Sequence, residues 1–270
     1  MLRDMQVENC YIQKLVLGLK NLIKKLVTGT RFESIARRTY KQIYSHLFED
    51  PINARYNRQT IAIMKRTLTQ NSNCVDVGSS VGEILWEMLR FAPDGTHYAF
   101  EPVPTSYTRL VDSFPTVNVY NLALSDTIGE EPFYVVSDVG YSGLRRREYP
   151  TKTGVAEVIR VRTDYLDNII PASLPVHFIK IDVEGAELQV LRGASDTIRR
   201  NRPIIVFEHQ RGAADHYGTM PEAVYDLFTA QCGLRVSLLE SWLKGERPLR
   251  RQEFAGQFFQ RINFMFVAHP

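Results

Sequence analysis

From residue 73 onward, short apolar runs alternate with stretches of helical spacing, and this alternation narrows the folds open to the chain more than any other feature. Strands are predicted over 74–77, 97–100, 117–120, 176–181, 204–207, 235–239 and 262–267, with helices over 83–91, 105–113, 186–191 and 221–229 between them. Strands that take turns with helices build a parallel sheet covered on both faces. Residues 133–136 and 155–161 read as an inserted strand pair around a polar, arginine-rich loop. The expectation is an α/β, Rossmann-like fold with a seven-stranded, mostly parallel sheet. At 270 residues and 44% hydrophobic, the chain has ample material for a core, which excludes disordered and disulfide-stapled classes.

Charge divides the chain in two. Residues 1–70 hold 13 Lys/Arg against 5 Asp/Glu, whereas the other 200 residues are net negative although the whole is +3. A helical extension over 1–70 on a catalytic domain over 71–270 is therefore expected. In the extension, Ile12, Leu15, Val16, Leu19, Leu22 and Ile23 repeat with helical spacing opposite Lys14, Lys20, Lys24 and Lys25. A second amphipathic stretch runs to Asp50-Pro51, and a third helix over 55–68 leads into the body. Such a surface suits a lid, a twin subunit in a homo-oligomer, or a peripheral membrane or glycolipid contact. The near balance of charge argues against nucleic acid as partner. Cys10, Cys74 and Cys232 are odd in number and have no C-x-x-C spacing, so neither a disulfide framework nor a structural zinc is expected. With no ~20-residue apolar run and no signal-peptide pattern, a cytoplasmic protein is expected, membrane-associated if the extension reaches lipid.

The chemistry gathers at predicted strand ends. Val75-Asp76-Val77-Gly78-Ser79-Ser80-Val81-Gly82-Glu83 runs from strand through tight turn into helix. A dinucleotide site would show G-x-G-x-x-G there. Here Asp76 stands two residues before the first glycine, where a carboxylate repels pyrophosphate and attracts an ammonium or sulfonium, which points to S-adenosylmethionine. Glu101 ends the next strand and suits the hydroxyls of a ribose, the role an acid has at this place in nucleotide-binding sheets. Phe178-Ile179-Lys180-Ile181-Asp182-Val183-Glu184 leads apolar residues into carboxylates at a central strand end, with Glu187 just beyond on the following helix. Val206-Phe207-Glu208-His209 does the same on the next strand.

Taken in order, CVDVGSSVGE, YAFEPVPTSYTRL, VYNLALSD, FIKIDVEGAELQVLRGA and PIIVFEH resemble the FkbM-type family of S-adenosylmethionine-dependent methyltransferases, over roughly residues 73–210. The resemblance implies a class I methyltransferase fold and O-methylation of a hydroxyl, with sugars of glycans, glycolipids and natural products as acceptors. It implies a cofactor pocket of Asp76, Gly78, Ser80 and Gly82 on the sulfonium side, Glu101 on the ribose, and Ala123, Leu124, Ser125 and Asp126 along the adenine edge. Asp182 then lies beside both the cofactor and the chemistry, with Glu184. Ser79-Ser80 replaces the Ala-Asn usual in the family, which leaves the turn intact and removes an amide contact.

For mechanism, Asp182, Glu184 and His209 are the catalytic expectations, His209 because an unperturbed imidazole titrates near working pH; His216 is second. Asp182 and Glu208, ending neighbouring strands, are the expected Mg²⁺ pair, which would acidify the acceptor hydroxyl. A metal-free base is the competing expectation. Tyr141 and the arginines at 145–147 read either as a sugar-stacking, anion-meeting loop or as a solvated hairpin tip. A nicotinamide-dependent oxidoreductase and a non-catalytic cofactor-binding interaction protein remain the alternatives.

Overall fold

Strand β1 (Cys74–Val77) is buried at every residue and lies third in a seven-stranded sheet. Along the chain follow α2 (Glu83–Phe91), β2 (His97–Phe100), α3 (Pro104–Ser113) and β3 (Asn118–Tyr120), preceded by α1 (Pro51–Thr67). Next come β4 (Ala123–Leu124), β5 (Gly129–Val136), β6 (Val155–Asp164), the short α4 (Leu166–Ile169) and β7 (Phe178–Ile181). The remainder is α5 (Glu187–Arg192), α6 (Ser195–Asn201), β8 (Ile204–Glu208), α7 (Pro221–Asp226), β9 (Arg235–Leu238), α8 (Leu239–Lys244), α9 (Arg251–Phe259) and β10 (Met265–His269). This computed structural model describes residues 51–136, 141–147, 149 and 154–270. The chain divides into two units, Met1–Arg58 and Gln59–Pro270. The amphipathic helices predicted before residue 50 lie outside the described residues, so the account below concerns the second unit.

The sheet order is β3-β2-β1-β7-β8-β10-β9, parallel except for β10, which runs antiparallel to both neighbours. That is the class I methyltransferase fold. The chain winds outward from β1 to β3 and then returns to place β7 on the other side of β1. Ligands bind outside the carboxyl ends of parallel strands where the order reverses, so the β1/β7 edge is the place to look. β1 and β7 read as apolar runs because both faces of the sheet are covered. The inserted strands are longer than the hydrophobic pattern suggested and form a separate small sheet, β4-β6-β5, in which the two-residue β4 is a third member. Among the described residues no helix is long and apolar enough to cross a membrane.

Helix α2 turns its Leu85 and Met88 into the core, one turn apart on a single face. Helices α4, α6, α8 and α9 lie outside the predicted elements. In α9 the buried set is only Phe254, Ala255 and Phe258, with Gly256 between them. The stripe is too narrow to register as a helical period. Its start is marked instead by Glu253, which accepts the Arg250 backbone N–H at 2.8 Å and pairs with Arg247.

Phe207 of β8 packs among aromatic rings, 6.3 Å from Phe254 of α9 and 4.7 Å from Phe228 in the helical turn that follows α7. His209 belongs to this cluster. Its ring stacks at 4.8 Å on Phe258 and 5.8 Å on Phe254, it is fully buried, and it is absent from the wall of the cleft described below. The expectation of a catalytic base at His209 is therefore corrected. Alternation along an extended strand sends Phe207 and His209 to one face and Glu208 to the other, so the two residues after Phe207 cannot both reach the same site. His216, the second choice, is exposed on the turn Ala214–Tyr217.

Burial lowers the His209 pKa from 6.5 to about 4. Between those values the unfolded chain takes up a proton that the folded chain refuses, so stability is lost as pH falls through that window, by about 3 kcal/mol in all. His209→Phe keeps the stacked ring and removes the proton. Urea denaturation at pH 7 and pH 4 is expected to show the variant gaining about that much relative to the native protein at the acid end. An unchanged difference between the two pH values would put the imidazole in contact with water.

Candidate active site

The cleft lies across the carboxyl ends of β2, β1 and β7, and the sheet order arranges its wall as a sequence of chemistries. At the β2 side, beside the insertion, Val103, Leu122, Leu124, Phe133 and Leu144 make an apolar slot. Val103, Phe133 and Leu144 pack together there with Val161 of β6, so the small sheet supplies one side of the slot. Tyr217 ties this region down, its hydroxyl accepting the Arg145 backbone N–H at 3.1 Å.

Glu101 comes next, at the exit of β2, and is nearly buried. One carboxylate oxygen accepts the Ser80 N–H at 2.8 Å and the other the Val103 N–H at 2.9 Å. Desolvation raises its pKa, against those two backbone hydrogen bonds, which lower it. Each oxygen keeps a lone pair for a ligand hydroxyl.

The turn after β1 is threaded between its neighbours. The Gly78 and Ser79 N–H groups donate to the Phe100 carbonyl at 3.0 and 3.2 Å. Gly78 has φ +80°, and a Cβ there would lie 1.9 Å from the Asp182 carbonyl oxygen. Only glycine meets both conditions.

Past Gly78 the wall turns acidic. Asp182, Glu184 and Glu208 each place a carboxylate oxygen within 4.8 Å of the others. Lys180 Nζ donates to Asp182 at 2.8 Å, and Arg147 forms an ion pair with Glu184. Glu184 is held in the left-handed region, φ +58°, a strained conformation for a non-glycine residue that projects it into the cleft. Glu187 caps the turn from below, accepting the N–H groups of Val183 and Gly185. Glu208 accepts from the Gln210 amide at 2.8 Å through one oxygen, while the other has no hydrogen-bond partner among the described residues. Burial, aided by the neighbouring carboxylates, raises Glu184 to about 8, Glu187 to about 7 and Glu208 well above the usual range.

Of the residues expected from sequence, Gly78, Ser80, Glu101, Ala123, Leu124, Asp182 and Glu184 line this cleft. Four cofactor expectations are not on its wall. Asp76 is buried beneath it, paired across the sheet with Lys180, and desolvation raises it to about 6. Gly82 begins α2 in a left-handed conformation, and a Cβ there would meet Phe114 at 2.3 Å, so its place is in packing α2 against α3. Ser125 joins the small sheet through Asp164, and Asp126 pairs with Arg192 at 3.1 Å, because the chain leaves the cleft after β4. Glu208 joins the acid cluster as expected, and Glu184 adds a third carboxylate. Sequence reasoning missed the slot residues Val103, Phe133 and Leu144, which have no polar signature. It also passed over Lys180, although a lysine inside an otherwise apolar strand was a legible signal. Arg147, expected either to meet an anionic ligand or to sit on a solvated hairpin tip, is buried on Glu184 and lies 5.2 Å over the Tyr141 ring; residues 138–140 of that loop lie outside the described residues.

Residues 76–236 match the sequence profile of the methyltransferase FkbM domain. The chain is 27% identical over 149 residues to "Methyltransferase 1" of Beauveria bassiana, an alignment covering 47% of this chain and 59% of that protein. Among solved structures it is similar to the methyltransferase FkbM of Methylobacillus flagellatus, with 14% identity and a TM-score of 0.48, covering 97% of this chain and 60% of that one. It is also similar to a TehB-like methyltransferase of Corynebacterium glutamicum, at 12% identity and a TM-score of 0.42, with 87% and 95% covered. The chain thus spans about three fifths of the length of the first two of these relatives. With more than half of its residues inside the matched domain, the chain belongs to the methyltransferase FkbM domain family.

Proposed function

We propose that the cleft binds S-adenosylmethionine and that the protein transfers its methyl group to a hydroxyl, that of a sugar in a glycan, glycolipid or glycosylated natural product. The observation that carries this reading is the order of chemistries along the sheet edge: apolar slot, buried Glu101, glycine turn, then carboxylates. An adenine, a ribose and a cationic sulfonium follow one another in the same order. A pyrophosphate would meet the carboxylates, which disfavours the nicotinamide alternative.

When bound, S-adenosylmethionine supplies an electrophilic methyl group. The chain's own residues do the rest. Glu101 fixes the ribose while holding the Ser80 loop in place. Asp182, held by Lys180, would face the sulfonium. Glu184 stands at the acceptor side, where it orients the hydroxyl and receives its proton as the new bond forms. In-line transfer requires that hydroxyl about 3 Å from the methyl carbon. A carboxylate whose pKa has been raised to about 8 is a stronger base than an exposed one, and Arg147 keeps a fraction of it ionised at neutral pH.

Tritiated S-adenosylmethionine offered with a panel of glycans, glycolipids, glycosylated small molecules, RNA and proteins tests the reading. Label is expected in a sugar-bearing acceptor. Glu101→Ala is expected to raise the KM for S-adenosylmethionine about tenfold to a hundredfold, since hydrogen bonds to a charged acceptor contribute about 1.5–3 kcal/mol. Label confined to RNA or protein would overturn the acceptor class, and no label in any acceptor would favour a non-catalytic binding role. An unchanged KM would remove Glu101 from the ribose.

A further inference from the structure

We propose that Lys180 is a positioning residue that holds the Asp182 carboxylate aimed into the cleft and supplies its counter-charge, taking the part that a divalent cation would otherwise play, so that methyl transfer is independent of metal. The proposal rests on the methyl-transfer reading above. It begins from an oddity of β7, whose four residues Phe178, Ile179, Lys180 and Ile181 are all buried at the centre of the sheet. A lysine in such a run strands an ammonium away from water, which is costly unless carboxylates surround it.

The register supplies them. Lys180 lies opposite Asp76 of β1 on one side and Val206 of β8 on the other. Residues two apart on a strand share a face. Asp182, two beyond Lys180, and Glu208, two beyond Val206, therefore lie on the same face as Lys180 and Asp76. From this position the ammonium donates to Asp182 Oδ2 at 2.8 Å. The lysine side chain is 6% exposed and the aspartate 39% exposed, so the cation anchors the carboxylate from beneath and leaves its outer part facing the cleft.

Three carboxylates within 4.8 Å of one another resemble the oxygen cage of a hard cation. The donor set nevertheless does not fit one. Lys180 pairs with one oxygen of Asp182 and Arg147 with one of Glu184, so two of the three carboxylates already carry a protein counter-charge, and an ion would have to compete with both. The Mg²⁺ expected on Asp182 and Glu208 meets a site whose counter-charge is built into the chain. The repulsion that would have recruited a metal is relieved by the ammonium and the guanidinium. Glu208, with one buried oxygen that has no partner among the described residues, is the member left to carry a proton.

The test has two arms. In the first, the native protein is titrated calorimetrically with Mg²⁺ and with Mn²⁺, and its turnover is measured in excess EDTA. No binding heat and unaltered turnover are expected. Loss of turnover in EDTA with restoration by Mg²⁺ would overturn the proposal, as would stoichiometric binding of either ion. In the second, K180M is compared with K180M/D76N, which removes the carboxylate that the single variant strands, and thermal melts identify the folded variant. In that variant kcat is expected to fall about tenfold to a hundredfold, the loss of one charged hydrogen bond at the reacting edge, with the KM for S-adenosylmethionine changed less than threefold. The vacated place is expected to admit Mn²⁺, read from its electron paramagnetic resonance signal. A folded variant with native kcat, or one that loses kcat and takes up no Mn²⁺, would contradict the exchange of roles. The metal titrations need no acceptor, so a native protein that transfers no methyl group would count against the proposed function and leave this arm standing.

Discussion

Five carboxylates, those of Asp76, Asp182, Glu184, Glu187 and Glu208, crowd the β1/β7/β8 edge of the sheet, and Glu187 accepts two backbone N–H groups yet is still raised to about 7 by burial. The others are balanced by Lys180 and Arg147, or by protons. Every property of the cleft follows from that balance. Burial, reinforced by like charges held this close, is why Glu184, Glu187 and Glu208 titrate high, while Asp182 has the ammonium of Lys180 beside it. A cationic ligand entering from the Gly78 side meets a wall already short of positive charge.

The same residues join chemistry to fold. Gly78 is pinned between the Phe100 carbonyl and the Asp182 carbonyl, so β2, β1 and β7 must be in register before the cleft exists. Glu101 binds the Ser80 and Val103 amides and thereby closes the β1 turn onto the β2 exit. The insertion adds Phe133 and Leu144 from the outside, with Tyr217 as its tie to the β8 side. A substitution at any of these positions is felt both as stability and as ligand affinity, because one set of hydrogen bonds carries both.

Much of this was legible in the amino-acid order. The runs that became β1, β2, β7 and β8 stand out because central parallel strands are apolar on both faces, and the carboxylates at their ends mark the ligand edge. What escaped was set by tertiary context. His209 follows Glu208 by one residue, and which of the two faces the cleft depends on the sheet's pleat, which the motif does not display. Ser125 and Asp126 follow the cleft-lining Leu124 so closely that only the path of the chain into β6 separates them from it. The two residues of β4 are too few to form a pattern, and α9 buries too narrow a stripe to announce itself. Lys180 was hidden in plain view, read as part of an apolar strand when its charge was the reason the carboxylates beside it are tolerated.

A crystal structure of the protein with S-adenosylhomocysteine tests the central claim, that the sheet edge is ordered by charge for this ligand. The account predicts adenine in the slot of Leu124 and Phe133, both ribose hydroxyls on Glu101, and the sulfur beyond Gly78 toward Asp182, with Lys180 still on Asp182. A ligand bound elsewhere, or bound in the cleft with its ribose away from Glu101 and its sulfur away from the carboxylates, would contradict it.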